Sequence, residues 1–440
     1  DRWKNLTLLL SSLVFYGWGE PRFLLFMLAA IAQGYAFGRL MERYPRHKRL
    51  FLILSAVLSL SLLGYCKYAG FFLRTLGALT GLSLPALQIA LPIGISFYTF
   101  QVLSYVIDVY RGTVPPQRDL LQLATYVAMF PQLIAGPIVR YADIAPELTR
   151  RRHTLTDAAA GARRFVVGLG KKVLIANVLY ELMSAFLQST QPSVLFTWLY
   201  AVACALQIYF DFSGYSDMAV GLGRIFGFHF PENFRYPFLS GSVTEFWRRW
   251  HISLGSWFRD YVYIPLGGSR CSRSRWLLNV FLVWGLTGLW HGAAWNFVLW
   301  GLFFAVLLAA EKLWYGHGLE KTRLLKHLYM LPLLAVSFVL FHAADLPAAG
   351  QQIAALFGFG GLPASGVESL YYLRSYAVVL VIALLGATPL PAKAVQRLRD
   401  TSAGSAVLSV AEPVALVLLL AACTAYLVDG SFNPFLYFRF

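Results

Sequence analysis

The sequence predicts an all-α, polytopic integral membrane protein. Three observations carry that prediction. Of 440 residues, 58% are hydrophobic and 13% charged, where ordinary soluble domains carry about 25% charged residues. The mean hydropathy is +0.60. The apolar residues gather in long runs, and the net charge of +16 sits in short loops between them, as expected for the cytoplasmic loops of a membrane protein. No basic domain stands apart from those runs, which argues against nucleic-acid binding. Cys66, Cys204, Cys271 and Cys423 are scattered. They form no C-x-x-C pair or disulfide framework and read as free thiols. Residue 1 is Asp, so the native start is expected to lie upstream, and no signal peptide is visible.

Each element follows in order. Residues 1–4 are polar and 6–18 apolar, and Gly19-Glu20-Pro21 makes a tight turn. Residues 23–40 form the next span. Arg39, Arg43, Arg46, Lys48 and Arg49 then stand against one acid, Glu42, which assigns that loop to the cytoplasm. Residues 50–68 span back, and 76–91 is a weaker run rich in Gly and Leu. Leu91-Pro-Ile-Gly-Ile-Ser-Phe-Tyr-Thr-Phe100 continues to Tyr110, and its Pro and Gly predict a kinked or broken helix. Segment 120–138 carries Pro131, Gln132, Gly136 and Pro137 and reads as partly re-entrant. Residues 140–172 are the longest polar stretch and read as cytoplasmic. Residues 173–187 span, and 194–210 span and run into Asp211-Phe-Ser-Gly-Tyr-Ser-Asp217. Phe230-Pro-Glu-Asn-Phe-Arg-Tyr-Pro237 is a Pro-punctuated loop. Beyond the segment discussed next, 297–308 and 328–341 are apolar, 311–326 and 350–372 read as loops, and 378–385 and 407–427 close the set. The sum is about eleven spans plus interfacial and re-entrant helices, several shorter than the ~20 residues of a clean span. They form one domain over 1–440, with no long-period repeat and no soluble second domain.

Residues 244–296 organise the rest. On helical spacing Trp247, Trp250, His251, Leu254, Phe258 and Tyr261 share one face, and Arg249, Ser256 and Asp260 the other. That pattern predicts one amphipathic helix lying flat at a membrane surface. His291 sits within apolar sequence on both sides. In a helix starting at Trp276 it would lie roughly 22 Å in, at about 1.5 Å per residue. The hydrocarbon core is about 30 Å thick, so this places an imidazole at membrane depth, where ionisable groups are usually functional. An imidazole with an ordinary pKa of about 6.5 serves as a general base near neutrality. Gly288 and Gly292 flank it and permit close approach of a backbone or ligand. The structural alternative is a histidine hydrogen-bonded between helices. His251 alone reads as an interfacial residue reaching for water; its case rests on sharing one pocket with His291.

Arg248, Arg249, Arg259, Arg270, Arg273 and Arg275 form a basic collar. It is either a plain positive-inside loop or a docking site for an anionic, phosphate-bearing cytosolic ligand, the reading adopted for Arg248, Arg249, Arg259 and Arg270. Asp211, Ser213, Ser216 and Asp217 could line a hydrophilic passage or join helices in a polar network. Trp290 and Asn296, beside His291, are read with Asp211, Ser213 and Asp217 as lining that passage. No metal site is expected, because the histidines show no H-x-x-x-H or H-x-H spacing. Gly168-Leu-Gly-Lys-Lys172 lacks the P-loop pattern, and there is no G-x-S-x-G elbow.

Eight stretches, in one order, carry a resemblance. They are Leu91-Pro-Ile-Gly-Ile-Ser-Phe-Tyr-Thr-Phe-Gln101, Ser104-Tyr-Val-Ile-Asp-Val-Tyr-Arg111, Phe130-Pro-Gln-Leu-Ile-Ala-Gly-Pro-Ile138, Tyr209-Phe-Asp-Phe-Ser-Gly-Tyr-Ser-Asp217, Phe230-Pro-Glu-Asn-Phe234, Phe246-Trp-Arg-Arg-Trp-His-Ile-Ser-Leu254, Trp257-Phe-Arg-Asp-Tyr261 and Gly288-Leu-Trp-His-Gly292. The chain resembles the membrane-bound O-acyltransferases (MBOAT), and within them the bacterial alginate O-acetyltransferase branch, from about Asn5 to the Asn433-Pro-Phe435 ending. The resemblance implies a helical bundle around a central tunnel, with His291 as catalytic histidine midway and His251 as the second polar position. It implies acetyl-CoA as donor substrate on the cytosolic side and no bound cofactor. It implies outward delivery to a periplasmic partner with a serine-hydrolase-like (SGNH) fold that acetylates a polysaccharide. The implied location is the bacterial inner membrane. The family carries one more apolar segment before the position of Lys4-Asn5, in line with a trimmed start. Two rival readings are D-alanyl transfer from a carrier protein to teichoic acid, and a transporter moving solute past Asp211, Asp217 and His291. Transporters often show two matching halves, and none is found. His229 is given no role.

Overall fold

A computed structural model describes residues 1–429 apart from Ala86, Gln88, Ala135 and Arg323. The Asn433-Pro-Phe435 ending, and Ala135 within the 130–138 motif, lie outside the described residues. Among the described residues all regular structure is helical. Seven helices are long and apolar enough to cross a membrane: Pro21–Arg43, Pro45–Thr80, Val194–Ile225, Trp295–Leu319, Leu325–His342, Val367–Gly386 and Ser402–Asp429. The protein is a multi-pass membrane protein. Most other apolar runs form helices that are shorter, broken or more polar, among them Arg2–Gly19, Ile95–Arg111 and Arg273–His291, but the run expected over 76–91 is helical only to Thr80, where the helix ends at the left-handed Gly81.

The chain forms two compact units. The first comprises residues 1–162, 219–232 and 256–265. Its core gathers Met27, Met41, Tyr98, Tyr105, Val106, Tyr126 and Leu133. Gly34 and Gly38 face Val102 and Tyr105 at distances that leave no room for a larger side chain, so Leu24–Arg43 packs closely on Ile95–Arg111. Small residues at a crossing are how membrane helices gain contact without a hydrophobic driving force. Gln33 adds polar bonds to Ser55 (2.9 Å) and Ser59 (2.8 Å). The expected break near Pro92 and Gly94 is present: Gly94 is left-handed (φ +73°) and precedes the helix from Ile95. The 120–138 run is likewise broken, into Leu120–Ala128 and Phe130–Leu133.

The second unit comprises residues 163–218, 233–255 and 266–440. Its core is unusually aromatic, with Phe196, Tyr200, Phe210, Phe246, Trp250, Trp300, Phe304 and Phe338 all buried. Arg273–His291 and Trp295–Ala310 form a tight hairpin. A Cβ on Gly288 would strike the Phe297 carbonyl, and one on Gly301 would strike the Trp284 carbonyl. This is the close approach expected of Gly288, now with its partner identified.

The polar stretch 140–172 and the expected loop 311–326 are largely helical, and the expected loop 350–372 is non-helical only over 357–366. Residues 140–172 contain Tyr141–Thr149 and Leu155–Gly170, the first burying Tyr141, Ile144 and Leu148 on one face. That spacing is amphipathic helix, masked by its charges. Residues 311–326 begin with a π-turn at Glu311–Tyr315 that prolongs the preceding helix. Residues 350–372 include the end of Leu346–Leu356 and the start of Val367–Gly386. The single helix expected over 244–261 is also corrected. It is two short helices, Val243–Arg249 and Ile252–Phe258, followed by a π-turn. The chain breaks at Trp250 and His251, which are buried in protein rather than laid along a surface.

Candidate active site

The second unit brings His251 and His291 together, with ring centroids 6.4 Å apart. Each is set by its own local structure. His291 is the last residue of Arg273–His291. That helix starts at Ser272, whose hydroxyl caps the Arg275 N–H, and its C-terminal turn is pinned by the Gly288–Phe297 approach. His291 packs edge-on to Trp290 (5.1 Å), Trp300 (5.1 Å) and Phe341 (5.4 Å).

His251 occupies the break between the two short helices, and its backbone is left-handed, at φ +43°. A non-glycine residue held there costs about 1–3 kcal/mol, and such strain collects at functional sites. Asn233 offsets it. Its carbonyl accepts from the Ile252 N–H (3.0 Å). Its Oδ1 accepts from the Ser253 N–H (3.2 Å) and hydroxyl (2.9 Å) and lies 3.2 Å from His251 Nδ1. The Val243–Arg249 helix leading to the break is anchored by Glu311, whose carboxylate accepts from Val243 N (2.6 Å), Thr244 N (3.1 Å) and the Thr244 hydroxyl (3.1 Å).

The His251 ring sits between Phe212 (4.6 Å) and Trp290 (5.7 Å). It lies outside the long membrane-crossing helices and is 1% exposed. Burial, and secondarily the neighbouring His291, hold its pKa well below the usual histidine value, because both disfavour the cation. His251 is therefore neutral near pH 7. Its Nε2, and the indole N–H groups of Trp247 and Trp300, are buried and meet no protein hydrogen-bond partner among the described residues. Trp300 packs on His291 and Trp247 on Trp300, so these unpartnered groups belong to the aromatic surroundings of the histidine pair, and buried polar groups left in this way call for an explanation such as a ligand.

The other expected site residues lie as follows. Trp290 contacts both histidines. Asn296 donates to the Ala343 carbonyl (3.2 Å), tying its helix to the end of Leu325–His342. Asp211 is ion-paired with Lys172 (2.5 Å). Asp217 is ion-paired with Arg164 (2.8 Å) and Lys171 (2.6 Å). Ser213 is buried, adjacent in sequence to the Phe212 that meets His251. Of the four basic residues, Arg248, Arg259 and Arg270 are exposed, and Arg249 pairs with Glu245 (2.6 Å). Arg259 belongs to the first unit and pairs with Asp260 (2.6 Å), which also meets Arg140 (2.8 Å). Burial pushes the Asp260 pKa up, but the two guanidiniums outweigh it and hold the carboxyl below its usual range. His229, also in the first unit, pairs with Glu147 (2.7 Å). Among the described residues no group of three His, Cys, Asp or Glu side chains is placed to hold a metal ion.

Sequence reasoning missed Asn233, Ser253, Glu311 and Lys172. Asn233 had a signal, since it lies in the Phe230–Phe234 stretch that matches the family. Glu311 and Lys172 had none, because each looks like an ordinary loop charge until its partner is known.

Known proteins resemble the chain at matching positions. Residues 115–343, which include both histidines, match the membrane-bound O-acyltransferase family. The chain is 41% identical over 474 aligned positions to the probable alginate O-acetylase AlgI of Azotobacter vinelandii, covering 100% of this chain and 95% of that protein. It is 33% identical over 393 positions to the peptidoglycan O-acetyltransferase of Helicobacter pylori, covering 81% and 74%. It is 32% identical over 232 positions to the teichoic acid D-alanyltransferase of Bacillus subtilis, covering 49% and 58%. Identity of this depth along the whole chain, on a helical membrane scaffold with two facing histidines, has one meaning: the protein is an acyltransferase that belongs to the membrane-bound O-acyltransferase family.

Proposed function

We propose that the protein takes an acetyl group from cytosolic acetyl-CoA and passes it across the bacterial inner membrane for O-acetylation of an extracytoplasmic, alginate-like polysaccharide. The observation that carries the chemistry is the buried pair His251 and His291. Full-length similarity to a probable alginate O-acetylase supports the acetyl reading, where similarity to a D-alanyltransferase covers 49% of the chain.

In this reading the donor's phosphates dock at Arg248, Arg249 and Arg270 of the second unit, since guanidinium groups pair well with phosphate. The thioester reaches the histidines through a passage lined by Asp211, Ser213, Asp217, Trp290 and Asn296. His291 takes the proton of the acceptor hydroxyl as its oxygen attacks the thioester carbonyl carbon. The C–S bond breaks, and the proton passes from His291 to the leaving thiolate. The indole donors of Trp247 and Trp300 suit the charge that develops on the carbonyl oxygen. His251 orients a reacting group. A periplasmic partner with a serine-hydrolase-like fold then carries the acetyl group to the polymer.

The test uses protein in proteoliposomes with labelled acetyl-CoA or labelled, charged D-alanyl carrier protein. Transfer from acetyl-CoA that disappears in a folded His291→Ala variant is the expected result. Near-wild-type transfer by that variant, or label drawn only from the carrier protein, overturns the proposal.

A further inference from the structure

We infer that Asn233 is a positioning residue: it fixes His251 in one tautomer and leaves the ring's other nitrogen, Nε2, as a bare hydrogen-bond acceptor that orients the acceptor hydroxyl whose proton His291 takes. This rests on the acyl-transfer reading of the histidine pair.

The tautomer follows from hydrogen-bond accounting. A backbone N–H only donates. The Ser253 N–H points at one terminal atom of the Asn233 carboxamide (3.2 Å). If that atom were the amide nitrogen, donor would face donor, so it is the carbonyl oxygen. The Ser253 hydroxyl, at 2.9 Å from the same atom, donates to it as well. The oxygen also lies 3.2 Å from His251 Nδ1, nearer than the Ser253 hydroxyl at 3.5 Å, and a carbonyl oxygen can only accept, so a lone pair on Nδ1 would face a lone pair there. Nδ1 therefore carries the hydrogen. A neutral imidazole has one N–H, so Nε2 holds a lone pair.

The surroundings leave that lone pair available. His251 is 1% exposed, and its Nε2 meets no protein donor among the described residues. The rings against it are Phe212, Trp290 and His291. Of these only His291 titrates. Asp211, next to Phe212, is held by Lys172. Burial, seconded by His291, keeps the His251 ring neutral. A lone pair accepts a hydrogen bond and cannot donate one to an oxyanion. His251 thus receives the acceptor hydroxyl rather than stabilising charge on the thioester oxygen. Asn233 also braces the left-handed backbone of His251 through its own carbonyl, which takes the Ile252 N–H. One residue accordingly sets both where the ring stands and which nitrogen is open.

The experiment supplies radiolabelled acetyl-CoA to inside-out membrane vesicles of the host and scores label on the exopolysaccharide across pH. It compares Asn233→Ala, Asn233→Asp and His251→Ala with the native protein. Asn233→Ala should lower kcat by about 10- to 100-fold, the usual effect of losing a partner that orients a histidine, with little change in KM for acetyl-CoA. Asn233→Asp keeps the acceptor oxygen and adds a charge that favours the imidazolium. It should retain most activity at alkaline pH and move the acid limb of the profile to higher pH by about one unit or more. A merely structural asparagine would change the amount of folded protein and leave the limb in place. An Asn233→Ala variant with native rate and profile overturns the inference. So does an Asn233→Asp variant with an unshifted limb, which decides the matter where Asn233→Ala does not fold. Native activity in His251→Ala defeats the underlying reading instead, whatever Asn233 does.

Discussion

His251 and His291 come from separate segments yet face one another at 6.4 Å between ring centroids, both almost wholly enclosed by protein. The enclosure is largely aromatic: Phe212, Trp290, Trp300 and Phe341 each contact one ring or both. A neutral imidazole is at home there and an imidazolium is not.

That asymmetry makes stability depend on pH. The folded pKa of His251 is depressed, by burial first and by His291 second. As pH falls below the unfolded value of about 6.5, the unfolded chain gains a proton that the folded site rejects, so stability is lost. Above that value the contribution is fully present. Melting of detergent-solubilised protein between neutral and mildly acid pH should show this slope. His251→Gln should flatten it.

The Gly288–Gly301 crossing admits no added carbon. Gly288→Ala pushes a methyl into the Phe297 carbonyl, and Gly301→Ala does the same at Trp284. Either should lower stability by about 1–3 kcal/mol or more, as overpacked cores do. Gly288→Ala should also reduce transfer, because His291 lies one turn away. Gly350→Ala is the control. It lies within the Leu346–Leu356 helix with nothing near its Cβ, and should stabilise by about 0.5–1 kcal/mol. Thermal melts read all three.

Lys172 and Asp211 form an ion pair with side chains 13% and 1% exposed. Asp211→Ala strands the ammonium and should cost about 3–5 kcal/mol of stability. Removing both charges with Asp211→Leu and Lys172→Met should recover most of that loss, since an apolar pair of similar volume often replaces a buried ion pair without penalty. A double-mutant cycle on melting temperature checks the coupling.

Arg248, Arg259 and Arg270 are exposed, and Arg249 and Arg259 are each paired with a carboxylate. If the donor's phosphates dock here, Arg248→Ala and Arg270→Ala should raise KM for acetyl-CoA several-fold with kcat nearly unchanged. The effect should shrink as salt rises from about 0.01 to 0.15 M, because exposed charges are screened over about 8 Å at the upper value. A KM independent of both arginines would remove them from the docking site.

Much of this was legible in the chain itself. Apolar runs such as 23–40, 50–68 and 407–427 have no other stable form in a bilayer than a helix, because every backbone N–H and C=O must be satisfied within the segment. Pro92 and Gly94 announced a break. His291 stood out because a titratable ring amid apolar residues is expensive to keep. The helices within 140–172 and 311–326 were not legible for one reason: charge density hid an apolar stripe or a continuing helix.

What the sequence by itself determined is therefore the class of solvent, the helical state of the long apolar runs and the family. What only the tertiary structure decided is the break at His251. The spacing of Trp247, Trp250, Leu254 and Phe258 is fully compatible with one unbroken helix, and no glycine marks the left-handed residue. The turn is imposed from a distance, by Asn233 bonding to Ile252 and Ser253 and by Glu311 capping the preceding helix. Periodicity reports which residues share a face. It carries no information about a backbone conformation held in place by hydrogen bonds from elsewhere in the chain.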